Sequence, residues 1–194
     1  MTRGQDVNSP AVIIAAILFT VVGASAFLIL PILIGAAAED FQLNEGQLGF
    51  LSGASMTAST ISALMAVFWV RSVNWRLAMF VAMAVFGFGN LLAILVSDYT
   101  LLLMAIFIAS IGGGTAYSLA LTILSDNDNP DRVFGYSIAA QVSFQVIGLL
   151  AFPTVIAMGG LDALLAILCV LAIMSLFVIN FLPVSGKHVR LSNV

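Results

Sequence analysis

Apolar residues run through this chain in long blocks, and charged positions interrupt them only in short clusters. Uncharged stretches cover 7–38, 46–70, 77–97, 99–125, 133–161 and 163–186. Each reaches the roughly 20 residues that a helix needs to cross about 30 Å of hydrocarbon. With the polar flanks trimmed, the pattern predicts six helices over 11–37, 46–70, 77–96, 100–124, 133–157 and 161–183. The runs are continuous rather than alternating, which favours spanning helices over a barrel. The first is too long for the apolar part of a signal peptide, and no small-residue cleavage pattern follows a short core, so it reads as a retained span.

Polar residues inside the spans fall on particular faces. In the second, Ser52, Ser55, Ser59 and Ser62 recur at spacings of three and four and so share one side of a helix. Thr115, Ser118, Thr122 and Ser125 do the same in the fourth, and Ser137, Gln141, Gln145 and Gly148 in the fifth. The first carries a looser set, Thr20, Gly23, Ser25, Pro31 and Gly35. The third and sixth are mostly apolar all round. Stripes of small residues let helix backbones approach, so packing accounts for most of them. Two glutamines on one face exceed what packing needs, because an unpartnered amide in hydrocarbon costs several kcal/mol. Two lined helices followed by a peripheral one occur twice. That pattern predicts two three-helix repeats, 11–96 and 100–183, of opposite membrane orientation, an arrangement common in secondary transporters.

Composition agrees with a lipid environment. Hydrophobic residues make up 62 % and charged residues 8 %, against roughly 25 % charged in an ordinary soluble domain. So few charges exclude a cytosolic enzyme, a disordered chain and a nucleic-acid binder. All six basic residues, Arg3, Arg71, Arg76, Arg132, Lys187 and Arg190, fall on one side of the predicted membrane. Glu39, Asp40, Glu45, Asp98 and Asp162 occupy the other. The positive-inside rule then places both termini in the cytoplasm. Residues 1–10 read as a cytoplasmic segment, 11–183 as the membrane domain, and 184–194 as a cytoplasmic tail or the start of a central linker. Trp69, Trp75 and Tyr99 sit at predicted interfaces.

Several chemistries drop out. The only cysteine is Cys169 and the only histidine is His188, too few for a His/Cys metal site or a histidine-based catalytic pair in the membrane. The run Asp126 to Asp131 suggests calcium ligands, but Asp131 and Ser137 stand where an EF-hand needs glycine and glutamate. Gly112-Gly113-Gly114 lacks the Gly-Lys-Ser/Thr of a phosphate loop. No cofactor and no metal are expected. No span interior carries a charged side chain, so a substrate site here would use amides and hydroxyls and suit a neutral or amphipathic solute.

In layout, residues 11–183 resemble the N-terminal six-helix half of a major facilitator superfamily transporter. The segment Glu39 to Gly49 is similar to that family's connection into its second helix. The family's Gly-x-Leu-Ala/Ser-Asp-Arg-x-Gly-Arg-Arg motif falls where this chain reads Ala66-Val67-Phe68-Trp69-Val70-Arg71-Ser72-Val73-Asn74-Trp75-Arg76. Arg71 matches in frame, Arg76 keeps a second charge nearby, and Val70 holds the acidic position. In the fourth span, Gly112 to Gly114 match the family's glycines, and Ile106 stands where many members have arginine. Gly135, Gly148 and Pro153 are similar to the spaced glycines and proline of the exporters' fifth helix, with Phe152 before the proline.

The resemblance implies alternating access. The pathway would be lined by the first, second, fourth and fifth helices, with Ser25, Thr115, Tyr117, Ser118, Gln141 and Gln145 as candidates. Arg71 and Arg76 would act in a cytoplasmic gating loop. It also implies a bilayer of the cell membrane, a small-molecule substrate, and a second six-helix half. Family members have about twice this length, so the expectation is a fragment or truncated product. A second copy or a separate chain supplying the other half is the alternative. A non-transporting scaffold is the competing function, and an intramembrane enzyme lacks a base.

Overall fold

In a computed structural model, residues 6–186 are described, and all the regular secondary structure among them is helical. Arg3, Lys187, His188 and Arg190 lie outside the described residues. The helices are α1 (Pro10–Leu28), α2 (Leu30–Phe41), α3 (Glu45–Trp69), α4 (Trp75–Leu95), α5 (Tyr99–Ser125) and α6 (Pro130–Leu176), followed by a short 3-10 turn, Ile179–Phe181. Five of them, all but α2, are long and apolar enough to cross a membrane.

Local chemistry sets most boundaries. Ser9 caps α1 by accepting from Val12 N, with Pro10 in the first turn. Asn44 and Gln47 form a reciprocal capping box at α3, Asn74 caps α4, and Asp98 caps α5. Each satisfies amide donors that a helix start leaves unpaired.

One element differs from the sequence expectation. The first run is not one helix over 11–37. It breaks at Ile29 (φ −110°, ψ 15°) and resumes as α2, because Pro31 has no N–H and its ring opposes the carbonyl of Phe27. Helix then continues to Phe41, so Glu39 and Asp40 are helical rather than part of a connection. At the other end of the chain, the span labelled α6 covers 47 residues but is two helices joined at non-helical Gly159 (φ −154°, ψ 22°) and Gly160 (φ 60°, ψ −153°). These divide it into arms 130–158 and 161–176.

Contacts at several levels fix the helix directions. Asn8 bonds Asp128 while Gly23 lies against Gly113 and Tyr117, so α1 and α5 are antiparallel. Tyr99 reaches Gln47 and Ser55 bonds Ser110, so α3 and α5 are parallel. Gly89 meets Ala109 and Gly112 meets Phe86, so α4 opposes α5. Arm 130–158 runs with α1, through Thr20 to Ser137 and Ile29 to Gly148. Arm 161–176 runs against α4, through Cys169 to Gly87 and Leu182 to Arg76. The two arms of α6 therefore point in opposite directions.

Helix α5 is the hub of the bundle, and its three consecutive glycines explain how. They are about 100° apart around the axis, so each faces a different neighbour. Gly112 touches Phe86 and Ala82 of α4, Gly113 touches Gly23 of α1, and Gly114 touches Ser59 and Ser62 of α3. Without side chains, three backbones approach one helix at a single level. Outside this core, large apolar residues such as Val67, Phe68, Leu150 and Met158 are more than 70 % exposed, which suits hydrocarbon rather than water.

Candidate functional site

A cavity of about 430 Å³ opens between α1, α3, α5 and arm 130–158. Its wall is mostly apolar, with Ala24, Phe27, Leu28, Ala63 and Leu64. Ser59, Thr60, Tyr117 and Gln141 supply the polar groups, and no charged side chain lines it.

Gln141 is held by a directed chain of hydrogen bonds. Its Nε2 donates to Ser137 Oγ at 3.0 Å. Thr20 Oγ1 spends its proton on the carbonyl of Ile17 at 2.7 Å. The 2.7 Å contact between Ser137 and Thr20 must then run with Ser137 donating, since each hydroxyl has one proton. Ser137 and Thr20 are fully buried, so the chain joins the two helices inside the bundle. It leaves the amide oxygen of Gln141 and its second N–H for whatever fills the cavity. We expect Ser137→Ala to lower stability by about 1 kcal/mol, by stripping Gln141 of its acceptor and Thr20 of its donor. Thermal unfolding in detergent reads this directly, and an unchanged midpoint would mean the chain carries no weight.

The six expected pathway residues are dispersed. Tyr117 and Gln141 meet in the cavity. Ser25 is fully buried, with its hydroxyl bonded to the carbonyl of Val22. Ser118 bonds the carbonyl of Gly114. Gln145 is half-buried and lies off the cavity wall. Thr115 lines a separate cleft between α4 and α5. The cavity also uses residues not singled out individually. Ser59 and Gly23 stood on the sequence stripes, whereas Thr60, Phe27 and Leu28 gave no polar periodicity to find them by.

At the end of the bundle that carries arginines, Arg71 Nη2 pairs with Asp126 Oδ1 at 3.1 Å and joins the ends of α3 and α5. Arg76 Nε donates to the carbonyl of Leu182 at 2.6 Å. Trp75 is fully buried beneath them, its indole N–H on the carbonyl of Val70. The opposite end holds a polar pocket of about 590 Å³ lined by Asp40, Asp98, Asp162, Gln42, Gln47 and Tyr99. Among the described residues no Lys or Arg lies at that end. No group of three or more His, Cys, Asp or Glu among them could hold a metal ion.

The family profile of the Major Facilitator Superfamily matches residues 15–192. No curated protein sequence matches the chain. Among solved structures, the fold is similar to XylE, a proton:xylose symporter of that superfamily solved with 6-bromo-6-deoxy-D-glucose bound. The TM-score is 0.70 at 14 % identity, over 90 % of this chain and 44 % of the symporter's. The chain thus spans less than half the length of that protein.

Proposed function

The chain belongs to the major facilitator superfamily, and from that premise we propose that it forms one six-helix half of a transporter that moves a small neutral or amphipathic solute by alternating access. The reading takes α1 with α2, α3, α4, α5 and the two arms of α6 as six crossings, grouped in inverted repeats 11–96 and 100–183. The reversal at Gly160 makes the last turn between crossings. Both termini then lie on the cytoplasmic side of the cell membrane, with residues 1–10 and 184–194 outside the membrane domain.

The observation that carries the reading is Gln141. A buried hydroxyl chain fixes its amide at the edge of an uncharged cavity built by the four elements expected to line the pathway. An amide so held offers one donor and one acceptor at no further ordering cost, which is what binding an uncharged polar group requires. Tyr117 closes the same wall. Ser25, Thr115, Ser118 and Gln145 would reach the pathway only in another conformation of the half. A second six-helix half, on the same polypeptide, from a second copy or from a separate chain, would close the cavity. Arg71 and Arg76 would order the cytoplasmic loop that meets it.

Single cysteines in a Cys169→Ser background test this in intact membranes. Tyr117→Cys and Gln141→Cys should react with a membrane-impermeant thiol reagent. Ala120→Cys, fully buried on the same helix, should not. If neither cavity position ever reacts in the assembled protein, the pathway lies elsewhere.

A further inference from the structure

A second cleft, of about 360 Å³, lies between α4, α5 and the turn after α3. Val81, Val85 and Ile111 wall its depth, and Trp69, Val73 and Asn74 form its mouth. Around α5, the cleft residues Ile111, Gly112 and Thr115 face roughly 140° away from the cavity residues Gly114 and Tyr117. The cleft therefore opens to the outside of the bundle, not toward the site where a second half would close the cavity.

Its depth and its mouth both describe an occupant. From Asn74 to Val85 helix α4 rises about 16 Å, which is the depth of one leaflet of a hydrocarbon core about 30 Å thick. In the turn between the mouth residues Trp69 and Val73 the sequence places Arg71. Its side chain is 49 % exposed, whereas its partner Asp126 is only 7 % exposed. The bond to Asp126 uses one N–H of a guanidinium that has five. The charge presented outward is thus positive, and donors remain for a planar or tetrahedral anion. We propose that this cleft holds one acyl chain of a phospholipid from the leaflet at the Arg71 end, with the lipid phosphate on Arg71 and an anionic headgroup preferred. The pairing with Asp126 holds the guanidinium at the end of α5.

Trp69 lines the cleft and so reports on its contents. The full chain is placed in phosphatidylcholine vesicles containing rising fractions of acyl-brominated phosphatidylglycerol or, in a parallel series, acyl-brominated phosphatidylcholine. Tryptophan quenching is followed. The share due to Trp69 is obtained by difference from Trp69→Phe, since Trp75 is fully buried. Half-quenching should need about fivefold less phosphatidylglycerol than phosphatidylcholine, the preference expected for one basic residue near the membrane surface. Arg71→Gln should bring the two series together. Filling the cleft with Ala78→Phe or Val81→Phe should reduce quenching by both lipids while helix content by circular dichroism stays unchanged. Equal quenching by the two lipids in the unaltered chain would overturn the proposal. So would a preference that survives Arg71→Gln, or a Trp69 signal that neither lipid reaches, which would mean that protein covers the cleft.

Discussion

Replacing Gly112 with alanine is expected to destabilise the bundle by about 3 kcal/mol, at the upper end of what overpacking costs. A Cβ at this position would collide with the backbone nitrogen of Phe86 and lie 2.6 Å from the carbonyl oxygen of Ala82. Both are helix backbone atoms, which cannot swing aside as a side chain would. Helix α4 would have to move off α5, and Gly89 against Ala109 would open with it. Gly135 and Gly49 provide the contrast, since nothing lies within 4 Å of a Cβ at either. There alanine should raise stability by roughly 0.5–1 kcal/mol, because it removes unfolded-state freedom from a helical position. The measurement is thermal unfolding in detergent, read by a thiol-reactive dye on the single cysteine, Cys169. Gly112→Ala should drop the midpoint by about 10 °C. A midpoint unchanged by Gly112→Ala would show that the close approach is not what holds the helices.

The second large effect is expected at Gly160. Its φ of 60° with ψ of −153° belongs to a region that residues with a Cβ avoid, at a cost of about 1–3 kcal/mol. A Cβ would also sit 2.5 Å from Asp40 Oδ2, the oxygen that accepts Leu161 N at 2.6 Å. Gly160→Ala therefore strains the backbone and displaces the carboxylate that caps arm 161–176. The loss should be about 3 kcal/mol, since hydrogen bonds to charged groups contribute about 1.5–3 on their own. Asp40→Asn keeps a side-chain acceptor and a similar shape, so it should lose less than half as much. The two variants compared in the same unfolding assay separate strain from capping. If they fall together, the reversal does not depend on the glycine.

The pattern of apolar runs made the all-helical, membrane-type character legible, because each run is bounded by residues with a definite local job. Asn44, Asn74 and Asp98 are helix caps in the structure and were the polar flanks in the sequence. The segregation of charge was equally readable, because Arg71 and Arg76 follow one apolar run while Asp98 follows the next. The break at Ile29 is not legible in hydropathy, although Pro31 stands two residues on. Hydropathy counts proline as a minor interruption, whereas the helix loses a donor and gains a clash. The candidate site was only half legible. Periodicity grouped Thr115 with Ser118 on one face of α5, yet the structure sends Thr115 toward α4 and Tyr117 into the cavity. Which face of a helix looks inward depends on where its neighbours lie, and that was set by Gly112 to Gly114. The triplet matches the glycines of the family's fourth span, but a motif match does not say which neighbour each glycine faces.

Every described charge sits within a few residues of a helix end or turn, from Asp6 and Glu39 through Arg71 and Asp98 to Asp162. An electric field across the bilayer does work of about 2.3 kcal/mol per elementary charge per 100 mV, but only on charge that is carried through it. Among the described residues the interior of this bundle offers no such charge, so under the proposed alternating access its tilting would carry no side-chain charge through the field. If the proposed transport holds, a dependence of flux on membrane voltage would report the solute, an accompanying ion or the second half rather than the side chains of these helices.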